Sequence, residues 1–415
     1  MSATNTAAQD MPPHVAQASS RETALAKINA VHLAQYERTR NALNGAVSRL
    51  SPYLTHGITD VPEVITLLGK RTRLGWRDKF SFELGWREYF YHVWRVIGDD
   101  IWRAQRPPPA ADTVAYSGVM PEDIVTASTG VAIIDDQVRL LYRTGYLHNH
   151  ARMWLASYMV HVRKVDWRVG ARWMYAYLLD GDLASNTLSW QWVAGTWTGK
   201  PYLFNAENVA KYAPGFNHSG TAIDCTYDTL EQIARQRPAM PEAPQKRAQS
   251  SAVPPPALVA PQQFAGLAHE HGLEVIDSPP TDFSGTLLHP WSLNWPAHVP
   301  TCGPADRPTP SSAIGLIVPA FHNEFPWSAQ RWNFVLRAMH ECCDKVWIVG
   351  EASKSALASI CVTRTLNPHY SAFIDACVAI GATSTQAPRA FIDPDQLHRS
   401  FSSFWHRANK EKFPL

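Results

Sequence analysis

A run of acidic, amide and aromatic side chains near the middle of the chain has the composition of a ligand site. Asp180-Gly181-Asp182 is followed by Asn186 and then by Trp190-Gln191-Trp192. Two carboxylates that flank a glycine suit a tight turn whose oxygen atoms face one ligand with several hydrogen-bond donors. An ordinary turn capped by the two aspartates is the competing interpretation of the same residues.

Two further clusters combine hydrogen-bonding and cationic side chains. In the run from His148 to Met153, Arg152 lies one helical turn after His148, and a buried Arg needs a carboxylate such as Asp180. The run from Ser48 to Pro52 offers hydroxyls, a guanidinium and the backbone N–H groups of a helix start. These groups suit a phosphate, although they also describe an ordinary helix cap.

Helices must position these side chains, because helical spacing dominates the first half of the chain. Apolar residues recur at helical intervals over 21–43, and Ser51-Pro52 fits a helix start. The stretch from Arg77 to Val96 carries aromatic residues along one helical face. Three more helical patterns lie near 132–144, 149–163 and 169–179. No segment before position 205 alternates like a strand, so this part of the chain is predicted to be all-α.

The second half of the chain changes character twice. Within residues 214–300, two Pro-rich stretches over 237–244 and 250–256 predict a linker without a core. Beyond position 310, apolar runs from Ile314 to Val318 and from Val346 to Val349 predict buried strands. The other elements predicted there are helices over 328–342 and near 370–379 and a strand at 389–392. This α/β unit has no G-x-G-x-x-G or Walker loop, so no nucleotide is assigned to it.

The predicted fold is mainly α, with an all-helical domain, a Pro-rich linker and a small α/β domain in that order. Residues 1–20 are rich in Ala, Ser, Thr and Gln and predict a disordered tail. The predicted boundaries place the helical domain at 21–213, the linker at 214–300 and the α/β domain at 301–415.

The composition argues against several classes of protein. There is no run of about 18 apolar residues and no basic, apolar leader, so we expect no membrane span and a cytoplasmic protein. Six cysteines without C-x-x-C spacing predict reduced thiols and no metal site. A net charge of +2 does not by itself indicate a nucleic-acid-binding protein.

Five motifs, taken in their order along the chain, resemble the FAD-binding domain of the photolyase/cryptochrome family. They are Ser48 to Leu54, Glu83 to Tyr89, His148-Asn149, Asp166-Trp167-Arg168 and Asp180-Gly181-Asp182. The resemblance covers about Tyr36 to Asn205 and is specific, because five motifs agree in sequence and in order. It implies an all-helical FAD-binding domain and a light-driven flavoprotein.

The resemblance implies cofactor roles for individual residues. Those that would hold the FAD diphosphate and its sugars are Tyr36, Ser48, Arg49, Leu50 and Ser51. Those that would line the flavin and its chain are Arg87, Asn149, Arg152, Asp180, Gly181 and Asp182. Asn186 would face flavin N5, where photolyases of the family tend to carry Asn, animal cryptochromes Cys and plant cryptochromes Asp.

The resemblance also implies contacts to a DNA lesion. The residues at matching positions are Glu83, Trp86, Asn149, Met153 and Trp192. A flipped pyrimidine dimer could stack on the two Trp rings, each worth about 1–3 kcal/mol per base, while Glu83 hydrogen-bonds base edges. Enzymes that act on (6-4) lesions resemble one another in carrying His at the positions of Asn149 and Met153, so the cyclobutane dimer is the implied substrate. Outside this family, a solvated Glu83 and two core Trp residues would be the ordinary interpretation.

Trp190 and Trp167 match the inner two members of the tryptophan chain that photoreduces FAD in this family. The position of the third member falls near Val114, where this sequence has no Trp. Trp154, Trp173 or a Tyr could take its place, and the sequence does not choose among them.

A basic stretch is consistent with contact to DNA. Between 137 and 172 its basic residues are Arg139, Arg143, Arg152, Arg163, Lys164, Arg168 and Arg172, against Asp166 alone. Such a face could follow a phosphate backbone, and a solvated helix surface is the alternative.

Two features depart from the family pattern. The family normally carries an α/β antenna domain before the flavin domain, whereas a short tail precedes it here, so no antenna chromophore is expected. In addition, His150 stands where an Arg beside Asn149 usually grips the DNA, and His would bind phosphate more weakly near neutral pH.

Three hypotheses for function follow. The first is a cyclobutane pyrimidine dimer photolyase, favoured by Glu83, Asn149, Met153 and Asn186. The second is a cryptochrome-like photoreceptor that signals to a protein partner through the α/β unit, favoured by His150 and the missing antenna. The third is a flavoprotein that no longer uses light and serves as an interaction scaffold.

Overall fold

The computed structural model describes residues 18–110, 115–236, 252–293, 312–350 and 359–408. Most of the predicted tail, most of the Pro-rich stretches and Val114 lie outside these ranges. The helices are α1 (Arg21–Asn29), α2 (Leu33–Thr39), α3 (Ser51–Thr55), α4 (Val61–Gly69), α5 (Lys79–Ile97), α6 (Glu122–Val125), α7 (Ala132–Thr144), α8 (Asn149–Ser157), α9 (Trp167–Tyr177), α10 (Leu183–Ala194), α11 (Ala206–Tyr212), α12 (Tyr227–Arg235), α13 (Phe264–Glu270), α14 (Pro319–Glu324), α15 (Ala329–His340), α16 (Tyr370–Ala379) and α17 (Phe401–Ala408). The strands are β1 (Glu274–Ile276), β2 (Gly285–Leu288), β3 (Ala313–Ile317), β4 (Lys345–Ile348), β5 (Ile360–Thr363) and β6 (Thr383–Thr385).

The helices before position 205 begin and end where local chemistry dictates. The long helix α5 buries Phe80, Leu84 and Val93 at helical spacing and stops at Gly98, whose φ of 55° few other residues tolerate. It continues into a 3-10 helix over Gly98–Trp102. A short π-helix, Tyr158–Val162, extends α8. The helices predicted from spacing over 77–96, 132–144, 149–163 and 169–179 are confirmed, whereas the one predicted over 21–43 is divided into α1 and α2.

The strands of the second half form one parallel sheet in the order β1-β4-β3-β2-β5-β6. The apolar strands β3 and β4 read as continuous runs, as expected where helices cover both faces of a parallel sheet. Helices α14 and α15 connect β3 to β4, and α16 connects β5 to β6. The strand order reverses at β2, as in doubly wound folds.

The sheet and the N-terminal helices share one hydrophobic core. Tyr53 of α3 packs edge-on against Phe334 of α15, with ring centroids 5.6 Å apart. The backbone N–H of Leu293, which follows β2, donates to the carbonyl of His56 at 3.0 Å. A second cluster of buried residues lies among α7 to α11. The α/β part is therefore a packing partner of the helices that carry the predicted ligand clusters.

The structure differs from the predicted organisation in two respects. Residues 214–300, predicted to be a linker, contain α12, α13, β1 and β2, so the sheet begins well before position 301. Residues 389–392, predicted to be a strand, are irregular, and β6 lies earlier, at Thr383–Thr385. Strands β1, β2 and β6 are three or four residues long and contain Thr, Gly or Glu, so the sequence shows no long apolar run at these places.

Within the described ranges, no helix has both the length and the apolar character to cross a membrane. The same residues contain no group of three or more His, Cys, Asp or Glu side chains placed to hold a metal ion. None of the described cysteines, which exclude Cys302, forms a disulfide with another described cysteine, and all but Cys225 are buried.

Candidate functional site

An open pocket of about 220 Å³, partly exposed to solvent, lies where α2, α3 and α5 meet the start of α8. The residues that line it are Tyr36, Arg40, Asn41, Val47, Ser48, Arg49, Leu50, Ser51, Leu54, Phe80, Glu83, Leu84, Arg87, Tyr146, His148, Asn149 and His150. Two clusters that are far apart in sequence, around Ser48 and around His148, thus face one cavity.

Two guanidinium groups in this pocket are available to an anion. Arg49 lies over the ring of Tyr146, 5.3 Å from its centroid, and its backbone has a φ of 52°. Arg87 donates from Nη2 to Thr55 Oγ1 at 3.3 Å. Among the described residues, neither guanidinium has a carboxylate oxygen within ion-pair distance, whereas Arg40 pairs with Glu83 at 2.6 Å. Neither guanidinium is therefore held in an ion pair, although the charges of Asp180 and Glu88 act on Arg87 from beyond that distance.

The predicted ion pair between Arg152 and Asp180 is confirmed. Nη2 of Arg152 lies 2.7 Å and 3.0 Å from the two carboxylate oxygens of Asp180, and its Nε donates to the carbonyl of Leu147. Burial raises the pKa of Asp180, but the Arg152 charge and hydrogen bonds from Arg152 and Ser51 outweigh it, so the pKa is lowered overall. Asp180 is therefore an ionised carboxylate held in a buried place.

The second carboxylate of the Asp-Gly-Asp run has a capping role. Oδ1 of Asp182 accepts hydrogen bonds from the backbone N–H and the hydroxyl of Ser185, both at 2.8 Å, at the start of α10. The capped-turn interpretation is thus correct for Asp182. Gly181 is required by space, because a Cβ there would lie 2.5 Å from Nη1 of Arg331 and 2.8 Å from the carbonyl oxygen of Tyr175.

Replacing Asp182 with Ala is expected to lower the free energy of unfolding by about 1 kcal/mol, the usual cost of losing an N-cap. The measurement is a urea denaturation curve beside that of Glu231→Gln, which changes an exposed carboxylate in α12. Asp182→Asn, which can still cap, should recover most of the loss. A loss in Asp182→Asn equal to that in Asp182→Ala would show that the negative charge, rather than the cap, stabilises the turn.

Sequence patterns did not identify Arg331, a fully buried cation that reaches this turn from α15. Its Nη1 donates to the carbonyl of Tyr175 at 3.0 Å and its Nη2 donates to the carbonyl of Gly181. The guanidinium also lies 3.7 Å from the centroid of the Trp327 ring. No local motif links position 331 to position 181, so only the folded chain reveals the contact.

His148 and His150 complete the pocket as neutral rings. Nδ1 of His148 accepts the backbone N–H of His150 at 3.1 Å, and its Nε2 lies 2.9 Å from the carbonyl of Arg40. Burial lowers the pKa of His148 to about 4. Burial and the nearby Arg40 charge also lower the pKa of His150. The buried Nδ1 of His150 has no hydrogen-bond partner within the described residues.

Comparison with known proteins agrees with this geometry. Residues 80–258 match the family described as the FAD binding domain of DNA photolyase. The chain is 36% identical over 173 residues to the deoxyribodipyrimidine photo-lyase of Streptomyces griseus, covering 40% of this chain and 36% of that protein. It is 33% identical over 199 residues to the deoxyribodipyrimidine photo-lyase of Escherichia coli (strain K12), covering 46% and 41%. It is 30% identical over 166 residues to cryptochrome DASH of Idiomarina loihiensis, covering 39% and 37%.

This chain carries a photolyase/cryptochrome-family FAD-binding domain. The match begins at Phe80 in α5, so the pocket residues of α2 and α3 precede it. The chain spans less than half of the length of each of these relatives.

The pocket of this FAD-binding domain fits the chemistry of FAD. Two guanidinium groups without carboxylate partners and the hydroxyls of Ser48 and Ser51 suit a diphosphate, which favours charge-assisted hydrogen bonds. The unpartnered Nδ1 of His150 adds a hydrogen-bonding atom on the same wall. The residues predicted from the resemblance that the pocket brings together are Tyr36, Ser48, Arg49, Leu50, Ser51, Arg87 and Asn149.

Other residues predicted to hold the cofactor lie behind the pocket wall. Thr55 connects the two layers, since its hydroxyl accepts from Arg87 and donates to the carbonyl of Asp180 at 3.4 Å. Asn186 is buried and donates from Nδ2 to the carbonyl of Ala171 at 2.9 Å. The predicted residues that do not line the pocket are Arg152, Asp180, Gly181, Asp182 and Asn186.

The residues predicted to contact a DNA lesion are divided between two surroundings. Glu83, Asn149 and His150 line the pocket, whereas Trp86, Met153 and Trp192 do not. Nδ2 of Asn149 donates to Sδ of Met153 at 3.4 Å. Trp192 is 39% exposed and packs against Tyr202. The neighbours of Asn149 and Trp192 thus leave both side chains open to a further ligand.

Helix α17 covers Trp86. The ring of Phe401 stacks on that of Trp86 with centroids 4.1 Å apart and an interplanar angle of 10°. The helix packs so closely on α5 that a Cβ at Gly85 would lie 2.3 Å from the Trp405 ring. One face of Trp86, predicted to stack on a flipped base, is therefore occupied by a residue of the chain itself.

The predicted inner members of the tryptophan chain are both buried. Trp190 is 2% exposed and Trp167 is 3% exposed. The ring of Trp190 lies against the backbone of α9 at Gly170, where a Cβ would come within 2.3 Å of it. Gly170 is one helical turn after Trp167, so Trp190 packs on the turn of α9 that begins at Trp167.

The basic stretch over 137–172 is largely neutralised within the chain. Arg163 pairs with Asp123 at 2.6 Å, Arg168 with Asp166 at 2.9 Å, and Arg172 with Glu324 at 3.7 Å. Arg152 is committed to Asp180, and Arg139 and Lys164 donate to backbone carbonyls. Of the seven, Arg143 and Arg172 are exposed, and Arg172 has the long contact to Glu324. A continuous cationic face along this stretch is therefore not formed.

Proposed function

We propose that this protein is a cytoplasmic flavoprotein that uses blue light to split cyclobutane pyrimidine dimers in DNA. The observation that carries the proposal is the pocket, in which Arg49 and Arg87 lie free of carboxylates beside the buried Arg152–Asp180 pair. The match to the FAD-binding domain of DNA photolyase supports the choice of FAD as the ligand. Photolyases among the relatives support DNA carrying pyrimidine dimers as the substrate.

Different residues of the pocket would bind the diphosphate and the flavin ring of FAD. Arg49 and Arg87 would bind the diphosphate together with the Ser48 hydroxyl, while Ser51 would hold the adjoining backbone and donates its own hydroxyl hydrogen bond to Asp180. Asp180 and Arg152 would support the pocket wall against the flavin ring from behind, because their pairing holds both side chains in one geometry. When bound, FAD supplies the absorption of blue light and a reversible one-electron donor.

Glu83 and Asn149 would meet the dimer at the mouth of the pocket. Burial raises the pKa of Glu83, while the charge and hydrogen bond of Arg40 oppose the rise. A carboxyl group in such a place exchanges a proton more readily near neutral pH than a free Glu does. Hydrogen bonds from Glu83 and Asn149 to base edges would then fix the dimer and steady the charge it acquires.

A second candidate function is a blue-light photoreceptor that binds FAD but repairs nothing. The stacking of Phe401 on Trp86 favours it, because that ring face is already buried. The pairing of Glu83 with Arg40 favours it as well. In this case α17 or the α/β part would carry the signal to a protein partner.

The decisive experiment uses purified protein loaded with FAD and photoreduced without oxygen. An oligonucleotide with one thymine dimer is added, the sample is illuminated with blue light, and recovery of thymine absorbance is followed beside a dark control. Recovery with multiple turnovers in the light alone would support repair. Photoreduction of FAD without recovery would contradict repair of this lesion and leave the photoreceptor as the better hypothesis.

Replacing Phe401 with Ala is expected to raise the affinity for dimer-containing DNA about ten-fold, since stacking on an aromatic side chain is worth about 1–3 kcal/mol per base. The reason is that the change frees one face of Trp86. The measurement is a fluorescence-anisotropy titration with the dimer oligonucleotide. Ser402→Ala, an exposed change in the same helix, is the control and should bind as the wild type does. Equal affinity in the Phe401→Ala and wild-type proteins would show that Trp86 takes no part in lesion binding.

A further inference from the structure

We infer that Trp102 is the surface end of the chain of aromatic residues through which the bound flavin is photoreduced. The inference rests on the proposed function, because it requires a flavin in the pocket. It concerns a position for which the resemblance to the family offers no Trp, since Val114 stands at the matching place.

Trp102 is the stacking partner of Trp167. Their ring centroids lie 6.3 Å apart and the ring planes differ by only 9°. Trp102 is the last residue of the 3-10 helix after α5, and its carbonyl accepts a hydrogen bond from Nε of Arg168 at 2.8 Å. This bond ties the two segments together, so the parallel arrangement of the rings is built into the fold. Parallel rings at this distance can exchange an electron directly.

The three Trp residues form a path from the interior to the surface. Trp190 and Trp167 are almost fully buried, whereas Trp102 is partly exposed and packs against both hydrophobic cores. Trp190 lies against α9 one helical turn from Trp167. An oxidised ring is stabilised by water, so a hole moves toward the more exposed end of such a path.

The alternatives for the third position have other neighbours. Trp154 is fully buried, donates from Nε1 to Asn208 and stacks near Phe204. Trp173 donates from Nε1 to the hydroxyl of Tyr142, and its ring contacts in the described residues are with Tyr142 and Tyr177. Neither ring is in stacking contact with Trp167 in this part of the chain.

Two cations lie on the path and define where it ends. Arg168 lies 4.9 Å from the centroid of the Trp167 ring, and Arg172 lies 4.8 Å from that of Trp102. A guanidinium over an indole favours the neutral ring over the oxidised one. The hole is therefore released by loss of the indole proton, which requires contact with water. Trp102 meets this condition, and its next stacking partner, Phe325, is a poor electron donor.

The steps balance as single electron transfers. Trp190 gives one electron to the light-excited flavin, Trp167 gives one to oxidised Trp190, and Trp102 gives one to oxidised Trp167. Oxidised Trp102 then loses its indole N–H proton to water. A small thiol in solution returns one electron and one proton to the Trp102 radical. Two thiols oxidised in this way combine to one disulfide.

The test compares Trp102→Phe with Trp173→Phe. Trp173 is another partly buried Trp and lies in α9, the helix that carries Trp167. With a thiol reductant present, we expect photoreduction of FAD to slow about ten-fold or more in Trp102→Phe and to match the wild type in Trp173→Phe. Equal flavin content and equal melting temperature would show that both variants are folded. If Trp102→Phe fails to fold, Trp102→Tyr replaces it, and photoreduction should then be restored at least in part.

A second readout needs no flavin. Flavin-free protein is oxidised by a photogenerated ruthenium(III) complex, and the tryptophan radical is recorded by electron paramagnetic resonance. Both variants are made in a Trp192→Phe background, because Trp192 is the more exposed ring. We expect the radical signal to fall in Trp102→Phe and to persist in Trp173→Phe, because holes on the path collect at Trp102. An unchanged signal in Trp102→Phe would overturn its place at the surface end of the path.

The outcomes separate this inference from the proposed function. If wild-type protein retains FAD but is not photoreduced, the inference fails, and the repair assay with chemically reduced FAD then tests the proposed function by itself. If Trp167→Phe abolishes photoreduction while Trp102→Phe leaves it at the wild-type rate, the inference fails and the proposed flavoprotein stands.

Discussion

Replacing Arg331 with Met is expected to lower the free energy of unfolding by about 3 kcal/mol. Arg331 is fully buried and supplies the carbonyls of Tyr175 and Gly181 with hydrogen bonds. Hydrogen bonds to a charged group contribute about 1.5–3 kcal/mol each, and the loss is partly offset because Met needs no desolvation of a charge. The end of α9 would suffer most, since Tyr175 lies in its last turn.

The position of Arg331 explains why a buried cation is tolerated there. The last carbonyls of a helix have no partner within it and form the negative end of its dipole. At the end of α9, the backbone N–H of Ser328 meets the carbonyl of Ala176 at 2.9 Å while Arg331 meets that of Tyr175. The segment before α15 thus caps α9 and holds the Asp-Gly-Asp turn in the same contact.

Urea denaturation followed by both circular dichroism and Trp fluorescence measures the loss. Arg337→Met is the matched control, because Arg337 is exposed on the same helix and should change stability by less than about 0.5 kcal/mol. A loss below about 1 kcal/mol in Arg331→Met would show that water replaces the guanidinium at these carbonyls. Faster release of FAD from Arg331→Met is expected in addition, because the Asp180–Gly181 turn loses its anchor.

The helical half of the fold could be predicted from local patterns. Helices such as α5 and α7 carry apolar residues at regular spacing, and Gly98 and Gly145 end them with positive φ. The Arg152–Asp180 pair could be predicted too, because a buried guanidinium requires an acidic partner and few candidates lay nearby. These features depend on neighbours in sequence or on one strong electrostatic rule.

The features that could not be predicted depend on contacts across long distances in sequence. Strands β1, β2 and β6 are too short to show a sequence pattern. They form because their backbones pair with neighbouring strands of the parallel sheet. The stacking of Phe401 on Trp86 joins residues more than three hundred positions apart. Arg331 likewise meets Gly181, and Phe325 meets Trp102, only when the α/β part packs against the helices.

These long-range contacts bear on the choice between repair and sensing. The pocket is built from the first part of the chain. Two residues of the second part contact its surroundings: Arg331 binds the carbonyl of Gly181 in the Asp-Gly-Asp turn, and Phe401 stacks on Trp86. An enzyme needs Trp86 accessible, while a sensor needs a segment whose packing can change. Because α17 is joined to Trp86 by ring stacking, its release is the physical event that both functions would require.

Replacing Asp180 with Asn is expected to lower the free energy of unfolding by about 3 kcal/mol at neutral pH, the lower end of the cost of breaking a buried ion pair. The lower end applies because Arg152 is 26% exposed, whereas Asp180 is 3% exposed. Glu231→Gln, which breaks the exposed pair with Arg235, is the control and should cost less than about 0.5 kcal/mol.

The dependence on pH distinguishes this ion pair from a mere change of shape. The pKa of Asp180 in the folded protein is lower than its ordinary value of 3.8, so its stabilising contribution is complete above that value. The gap in unfolding free energy between wild type and Asp180→Asn should therefore be constant above about pH 5 and narrow as pH falls below 3.8. A gap that stays the same down to the acid-unfolding limit would mean that the amide fails for steric reasons. A gap that closes as Asp180 takes up its proton would show that its charge, held by Arg152, is what the fold maintains behind the flavin pocket.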